Sequence, residues 1–177
     1  MSFLDVKITY LEMVDHPNRN WAPIPEGVKI QVEQLKNPSA SFYKKLYLKV
    51  GKKWLWWERL IMHNDQLDQI IKSPNVRIYL LKVDDQIAGY SELENLDNNT
   101  IRIAYFGLCE SFIGLKLGKY FLDQTIKIAW SDKPEKVIVN TCDLDHPNAL
   151  SVYKKSGFKP YKEEIIRIKD PRELGII

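Results

Sequence analysis

Three β-forming runs follow one another almost without a break in the middle of the chain, and they constrain the fold more than any other feature. Residues 76–83, 86–94 and 100–108 are rich in β-branched and aromatic side chains, and they are joined by the turn residues Asp84-Asp85 and Asp97-Asn98-Asn99. Asp and Asn tolerate left-handed backbone, so links this short close antiparallel hairpins. An antiparallel meander follows. Beyond it the period changes: a Gly-bearing turn at 110–118 leads into a helical stretch at 115–130, and 136–141 is β-rich again. A strand, helix, strand passage of that length is a parallel crossover, so the sheet must be mixed.

The flanking segments add to this frame. Residues 3–14 and 28–35 read as strands, and the Pro- and Asn-rich HPNRNWAPIPEG between them reads as a loop. Phe42, Tyr43, Leu46, Tyr47 and Val50 recur at helical steps between Ser39 and Gly51, and a second helix spans 64–72 before Pro74. A short helix at 147–156, with Pro147 in its first turn and Gly157 just past its end, precedes a last strand at 159–168. The predicted class is α/β (mixed α+β), with a mostly antiparallel mixed sheet flanked by helices on both faces. Nothing in the 177 residues suggests a linker or repeat, so one domain is expected.

Composition excludes several classes. At 45% hydrophobic and 11% aromatic residues the chain can bury a sizeable core, and disorder is not expected. Its net charge of +3 comes from basic residues scattered through periodic segments, so nucleic acid is not expected as the main partner. The opening MSFLDVKITYLEMVDH lacks an uninterrupted apolar stretch, and no run approaches membrane-spanning length. A cytoplasmic protein that is a monomer or homodimer, with no membrane partner, is expected. Two cysteines, Cys109 and Cys142, lack metal-ligand spacing, and no metal site is expected.

The turn after the meander carries the first chemical signal. A strand running through a Gly-bearing turn into a helix start leaves backbone N–H groups and the helix dipole aimed at one point, which suits a phosphate. The segment YFGLCESFIGLKLGK from Tyr105 to Lys119 resembles the acyl-CoA-binding motif of the GNAT superfamily, in which the turn reads Gln/Arg-x-x-Gly-x-Gly/Ala. Ile113, Gly114, Leu115, Lys116, Leu117 and Gly118 occupy those six positions. Gly118 matches the last glycine, Ile113 replaces Gln or Arg, and Lys116 replaces the first glycine. A second segment, DHPNALSVYKKSGF, is similar to the family's Asn-x-x-Ala-x-x-x-Tyr-x-x-x-Gly-Phe, with Ala149, Tyr153, Gly157 and Phe158 in register and His146 where the family usually has Asn. The resemblance runs from about Gly27 to Ile168, and against it residues 3–14 form an extra N-terminal strand.

The resemblance implies an acyl-CoA-dependent N-acyltransferase, transferring acetyl from acetyl-CoA to a primary amine of a small molecule or peptide by direct attack; the alternative is a non-catalytic acyl-CoA sensor. It implies a cofactor site made by Leu108, Ile113 to Lys119, His146, Asn148 and Tyr153. Tyr153 would protonate the departing thiolate, or else serve as a core aromatic. The position of the strand glutamate that some relatives use as base is here Arg102, which cannot accept a proton. Glu92, which a tight turn at Asn98-Asn99 would put across from Tyr105, is the substitute, these two joining Tyr153 as catalytic candidates; a water chain is the other possibility. His146 and Asp145 either cap the short helix or contact substrate. The Trp54, Trp56, Trp57 and Arg59 cluster forms an aromatic wall for an amine unless it serves packing alone, with Trp54, Trp57 and Arg59 the candidate acceptor residues.

Overall fold

The computed structural model describes residues 2–177. Its sheet has seven strands in the order β2-β3-β4-β5-β6-β1-β7, where β1 is Phe3–Met13, β2 Ile30–Leu35, β3 Val76–Val83, β4 Gln86–Leu96, β5 Thr100–Leu108, β6 Lys136–Cys142 and β7 Lys159–Lys169. All pairings are antiparallel except β5 with β6. The mixed, mostly antiparallel class is thus the observed one, and the β5–β6 crossover has the predicted direction.

The meander closes through the expected residues. Asp84, Asp85, Asn98 and Asn99 all have positive φ, the backbone that tight hairpin links require. Glu92 lies opposite Tyr105 as predicted, but the register then shifts, because Leu93 faces Ile103 and leaves Ala104 as an extra residue on β5. The first strand has an unforeseen place: β1 is inserted between β6 and β7 and pairs with both.

Five helices cover the two faces: α1 (Ala40–Gly51), α2 (Glu58–Ile61), α3 (Asn64–Ile71), α4 (Leu117–Ser131) and α5 (Ala149–Lys155). Ser39 caps α1 by accepting from the N–H of Phe42 at 3.2 Å. The stripe Tyr43, Leu46, Tyr47 and Val50 packs with Leu67 and Ile71 of α3 on Ile78, Leu80 and Tyr90 of the sheet. On the opposite face, Leu122, Ile126 and Ala129 of α4 pack on Leu93, Ile101, Ile103, Val137 and Val139.

Two helix boundaries differ from expectation. The long helix begins at Leu117 rather than Leu115, because Lys116 is in the left-handed region at φ 61°. The short helix begins at Ala149, so Pro147 stands ahead of it and not within its first turn. Its end is as read: Gly157 at φ 107° donates to Lys154 O and Phe158 N donates to Tyr153 O, the paired bonds of a glycine-terminated helix. The four-residue α2 was not anticipated; it is too short to show a period.

Candidate active site

The parallel pair β5–β6 holds together only over residues 100–103 and 136–139. Beyond that point β5 stays on β4, β6 stays on β1, and the two strands part at the Ala104 bulge. The N–H of Cys109 donates to Ala88 O on the β4 side at 2.8 Å. Strand alternation therefore turns the N–H of Leu108 the other way, into the gap. A cavity of about 770 Å³ fills this gap and runs through the sheet, lined by residues of β5, β6, α5, the α1–α2 connection and the turn before α4.

One end of the cavity suits an anion. The turn passes through Gly114 at φ 88° and Lys116 at φ 61°, and no side chain caps α4. The N–H groups of the first helical turn are thus left for a ligand. A Cβ built on Gly118 would meet only Leu108 Cδ1, at 3.7 Å, so the backbone there borders open space. Ile113, Gly114, Lys116, Gly118 and Lys119 line the cavity, as do His146, Asn148 and Leu108. Leu115 is exposed and Leu117 buried in the core, so these two offer backbone alone. Lys119 Nζ sits 2.5 Å from Asp123 Oδ1 on its own helix. Such a turn, with a cation beside it, fits the pyrophosphate of a CoA.

Tyr153 lines the same cavity between Phe106 and Phe158. Its hydroxyl has no hydrogen-bond partner among the described residues. Burial, with Asp145 nearby, pushes it well above the ordinary phenol range, so it is held as a protonated donor.

Glu92 is not where a base must be. It is fully buried, does not line the cavity, and has both oxygens engaged: Oε1 by Arg59 Nη2 at 2.8 Å, Oε2 by the hydroxyl of Tyr43. Burial raises its pKa despite Arg59 and Tyr43 pulling the other way. The predicted register was right, but the neighbouring helices cover this face. Arg59, placed among the acceptor residues, lines the cavity while spending its charge on Glu92.

Tyr105 points into the α1 side of the cavity, packs on Tyr47 and Trp56, and shares a hydrogen bond with Glu58 at 3.1 Å. Burial and the Glu58 charge raise its pKa. Trp54 and Trp57 also line the cavity, Trp54 meeting the ring of His146 edge-on at 5.3 Å. His146 Nδ1 accepts from the N–H of Asn148, the residue just ahead of α5, and so fixes the turn before the helix; no side chain caps α5 itself. Asp145 does not cap α5. It accepts from Thr141 Oγ1 at 2.7 Å, from Cys142 N at 3.1 Å and from Trp56 Nε1 at 3.2 Å, and so ties the end of β6 to the α1–α2 connection across the cavity. Cys142, also in the wall, has its thiol pushed up to about 11 by burial and by Asp145. No cluster that could hold a metal occurs among the described residues.

Sequence reasoning passed over Glu58 and the bridging role of Asp145, and read Trp56 as part of the aromatic cluster but not as the hydrogen-bond partner of Asp145. The only signal for them was the dense aromatic run they adjoin or contact, 54–57.

Comparison with known proteins gives a consistent result. The profile of the acetyltransferase (GNAT) family matches residues 49–158. A search of curated proteins found no match. Among solved structures, a GNAT family acetyltransferase from Elizabethkingia anophelis with acetyl-CoA bound has a TM-score of 0.57 at 21% identity, covering 75% of this chain and 78% of its own. A Bacillus subtilis acetyltransferase in complex with CoA likewise has a TM-score of 0.57 at 21% identity, with 74% and 77% covered. A functionally unknown conserved protein from Staphylococcus epidermidis has a TM-score of 0.59 at 12% identity; it covers 95% of this chain, which spans 63% of that protein's length. At these identities the likeness is one of fold.

Proposed function

The chain belongs to the acetyltransferase (GNAT) family, and we propose that it transfers a short acyl group, acetyl first among them, from acyl-CoA to a primary amine. The observation that carries this reading is the parted β5–β6 pair, which brings the Leu108 N–H, the uncapped start of α4 and the Tyr153 hydroxyl to one cavity.

Acyl-CoA brings an activated thioester. The protein must then bind its phosphates, polarise its carbonyl and supply a proton to the departing sulfur. Backbone N–H groups at 114–118, helped by Lys116, take the pyrophosphate. The strand edge freed on β5 pairs with the pantetheine amides as an added strand would. The Leu108 N–H, fixed in the gap, is the donor for the carbonyl oxygen. Tyr153, held protonated by burial, supplies the proton.

Two measurements test this together. Saturating CoA should raise the melting temperature through binding to the folded state alone. Incubation with acetyl-CoA and a panel of primary amines should release free thiol in step with N-acetylated amine. Stabilisation without turnover on any amine would leave an acyl-CoA-binding protein and refute the transfer step. No stabilisation of a folded sample would refute the site itself.

A further inference from the structure

With Glu92 sealed against Arg59, the proton of an acceptor ammonium needs another destination. We propose that Glu58 is that destination, and that it selects the acceptor as a cationic primary amine carrying no carboxylate; the proposal rests on the acyltransferase reading above. Glu58 is exposed and lines the cavity. One oxygen, Oε2, meets the Tyr105 hydroxyl at 3.1 Å, and the other has no partner among the described residues. A carboxylate so placed is free to accept.

Its position relative to Tyr153 is the stronger argument. Tyr105 and Phe106 are successive residues of β5 and so point to opposite faces of the sheet. Phe106 stacks on Phe121 of α4 and meets Tyr153, whereas Tyr105 packs on Tyr47 of α1. Acid and base therefore flank β5 from opposite sides, with the Leu108 N–H in the gap between. An amine arriving on the α1 side meets Glu58, while the sulfur leaves on the Tyr153 side.

Charge sets the substrate class. Arg59, the cation that could clamp an acceptor carboxylate, is bound to Glu92, and its Nε is buried without a partner. Asp145 is fully hydrogen-bonded. Arg102, which also lines the cavity, is paired with Glu94, so what remains on the acceptor side is the Glu58 carboxylate among Trp54, Trp57 and Tyr105, a setting that attracts a cation and repels a carboxylate. The groups facing Glu58 are Tyr105 on β5 and Tyr47 on α1, with Arg59 beside it in α2.

In the step itself Glu58 takes one proton from the ammonium, giving a neutral amine. The nitrogen then forms its bond to the acyl carbon as the carbon–sulfur bond breaks. The second nitrogen proton leaves to solvent, Tyr153 gives its proton to the thiolate and is restored from solvent, and Glu58 then releases its proton to solvent. The sum is ammonium plus thioester to amide, thiol and one released proton.

The test compares the parent with Glu58→Gln, using phenethylamine and phenylalanine as acceptors for acetyl-CoA. Phenethylamine should exceed phenylalanine in kcat/KM by at least about tenfold. Glu58→Gln should lose about 10²-fold on phenethylamine at neutral pH, and the deficit should narrow toward pH ~9.5 as free amine becomes abundant. Without acetyl-CoA, tryptophan fluorescence should show phenethylamine binding the variant about tenfold more weakly than the parent. The CoA-induced melting shift should be the same for both. Equal rates and equal amine affinity for parent and variant, with transfer intact, would overturn Glu58 while leaving the acyltransferase reading standing. A parent that neither acylates nor binds phenethylamine would overturn the acceptor assignment, and an absent CoA shift would take the acyltransferase reading with it.

Discussion

Glu92→Gln separates a structural glutamate from a catalytic one. Glu92 is 0% exposed, and its partner Arg59 is 8% exposed with Nε already lacking a hydrogen bond. A glutamine keeps the shape and can still accept from Tyr43, but it leaves the guanidinium buried without a counter-charge. Breaking a buried pair from one side costs about 3–5 kcal/mol. In a domain of this size each kcal/mol moves the melting temperature by about 2–4 °C, so a drop of roughly 6–20 °C is expected. Removing both charges in Glu92→Leu/Arg59→Met should recover most of the loss, because two well-packed apolar side chains need no counter-ion. Circular dichroism melts of parent, single and double variants make the comparison. If Glu92→Gln melts with the parent yet loses turnover, the carboxylate is doing chemistry and the ion-pair account is wrong.

Three further outcomes follow from the same geometry. Tyr153→Phe removes a hydroxyl that bonds to nothing in the protein, so melting temperature and CoA affinity should hold while single-turnover transfer falls by about 10² to 10⁴; unchanged transfer would reduce Tyr153 to a core aromatic. Gly118→Val adds a side chain whose Cβ meets only Leu108 Cδ1 at 3.7 Å; calorimetry should find CoA affinity lowered by at least about tenfold with the fold intact. Asp123 would be raised by its burial, but hydrogen bonds from Arg19, Lys119 and the Ala22 N–H outweigh this and hold it below the usual carboxylate range. Its stabilisation is therefore present at neutral pH and lost as pH falls through the depressed value, so the stability gap between parent and Asp123→Asn in urea should close below pH ~4.

Local signals made much of the fold legible. The meander could be read because Asp84, Asp85, Asn98 and Asn99 are residues that accept positive φ, and the end of α5 because Gly157 does. The neighbours of β1 could not be read. Alternation identifies a strand but not its partner, and Phe3–Met13 finds both of its partners more than a hundred positions away. The Ala104 bulge, which sets where β5 leaves β6, lies in TIRIAYFGL, whose one glycine, Gly107, stands three residues past it and so does not mark it. At the site, the cofactor turn was visible through its glycines. Glu92 was placed in the correct register, but its burial against Arg59 and Tyr43 was not foreseen, because register does not tell what packs on a face. Glu58 was passed over because nothing local distinguishes a cavity carboxylate from a surface one.

The central claim is most directly tested by mass spectrometry of a single-turnover mixture holding enzyme, acetyl-CoA and phenethylamine, with tryptamine and hexylamine run beside it. The account predicts N-acetylated amine and free CoA in equal amounts, formed with the parent and strongly reduced with Tyr153→Phe. Hydrolysis of acetyl-CoA without amide, or no reaction by a folded protein that binds CoA, would contradict it.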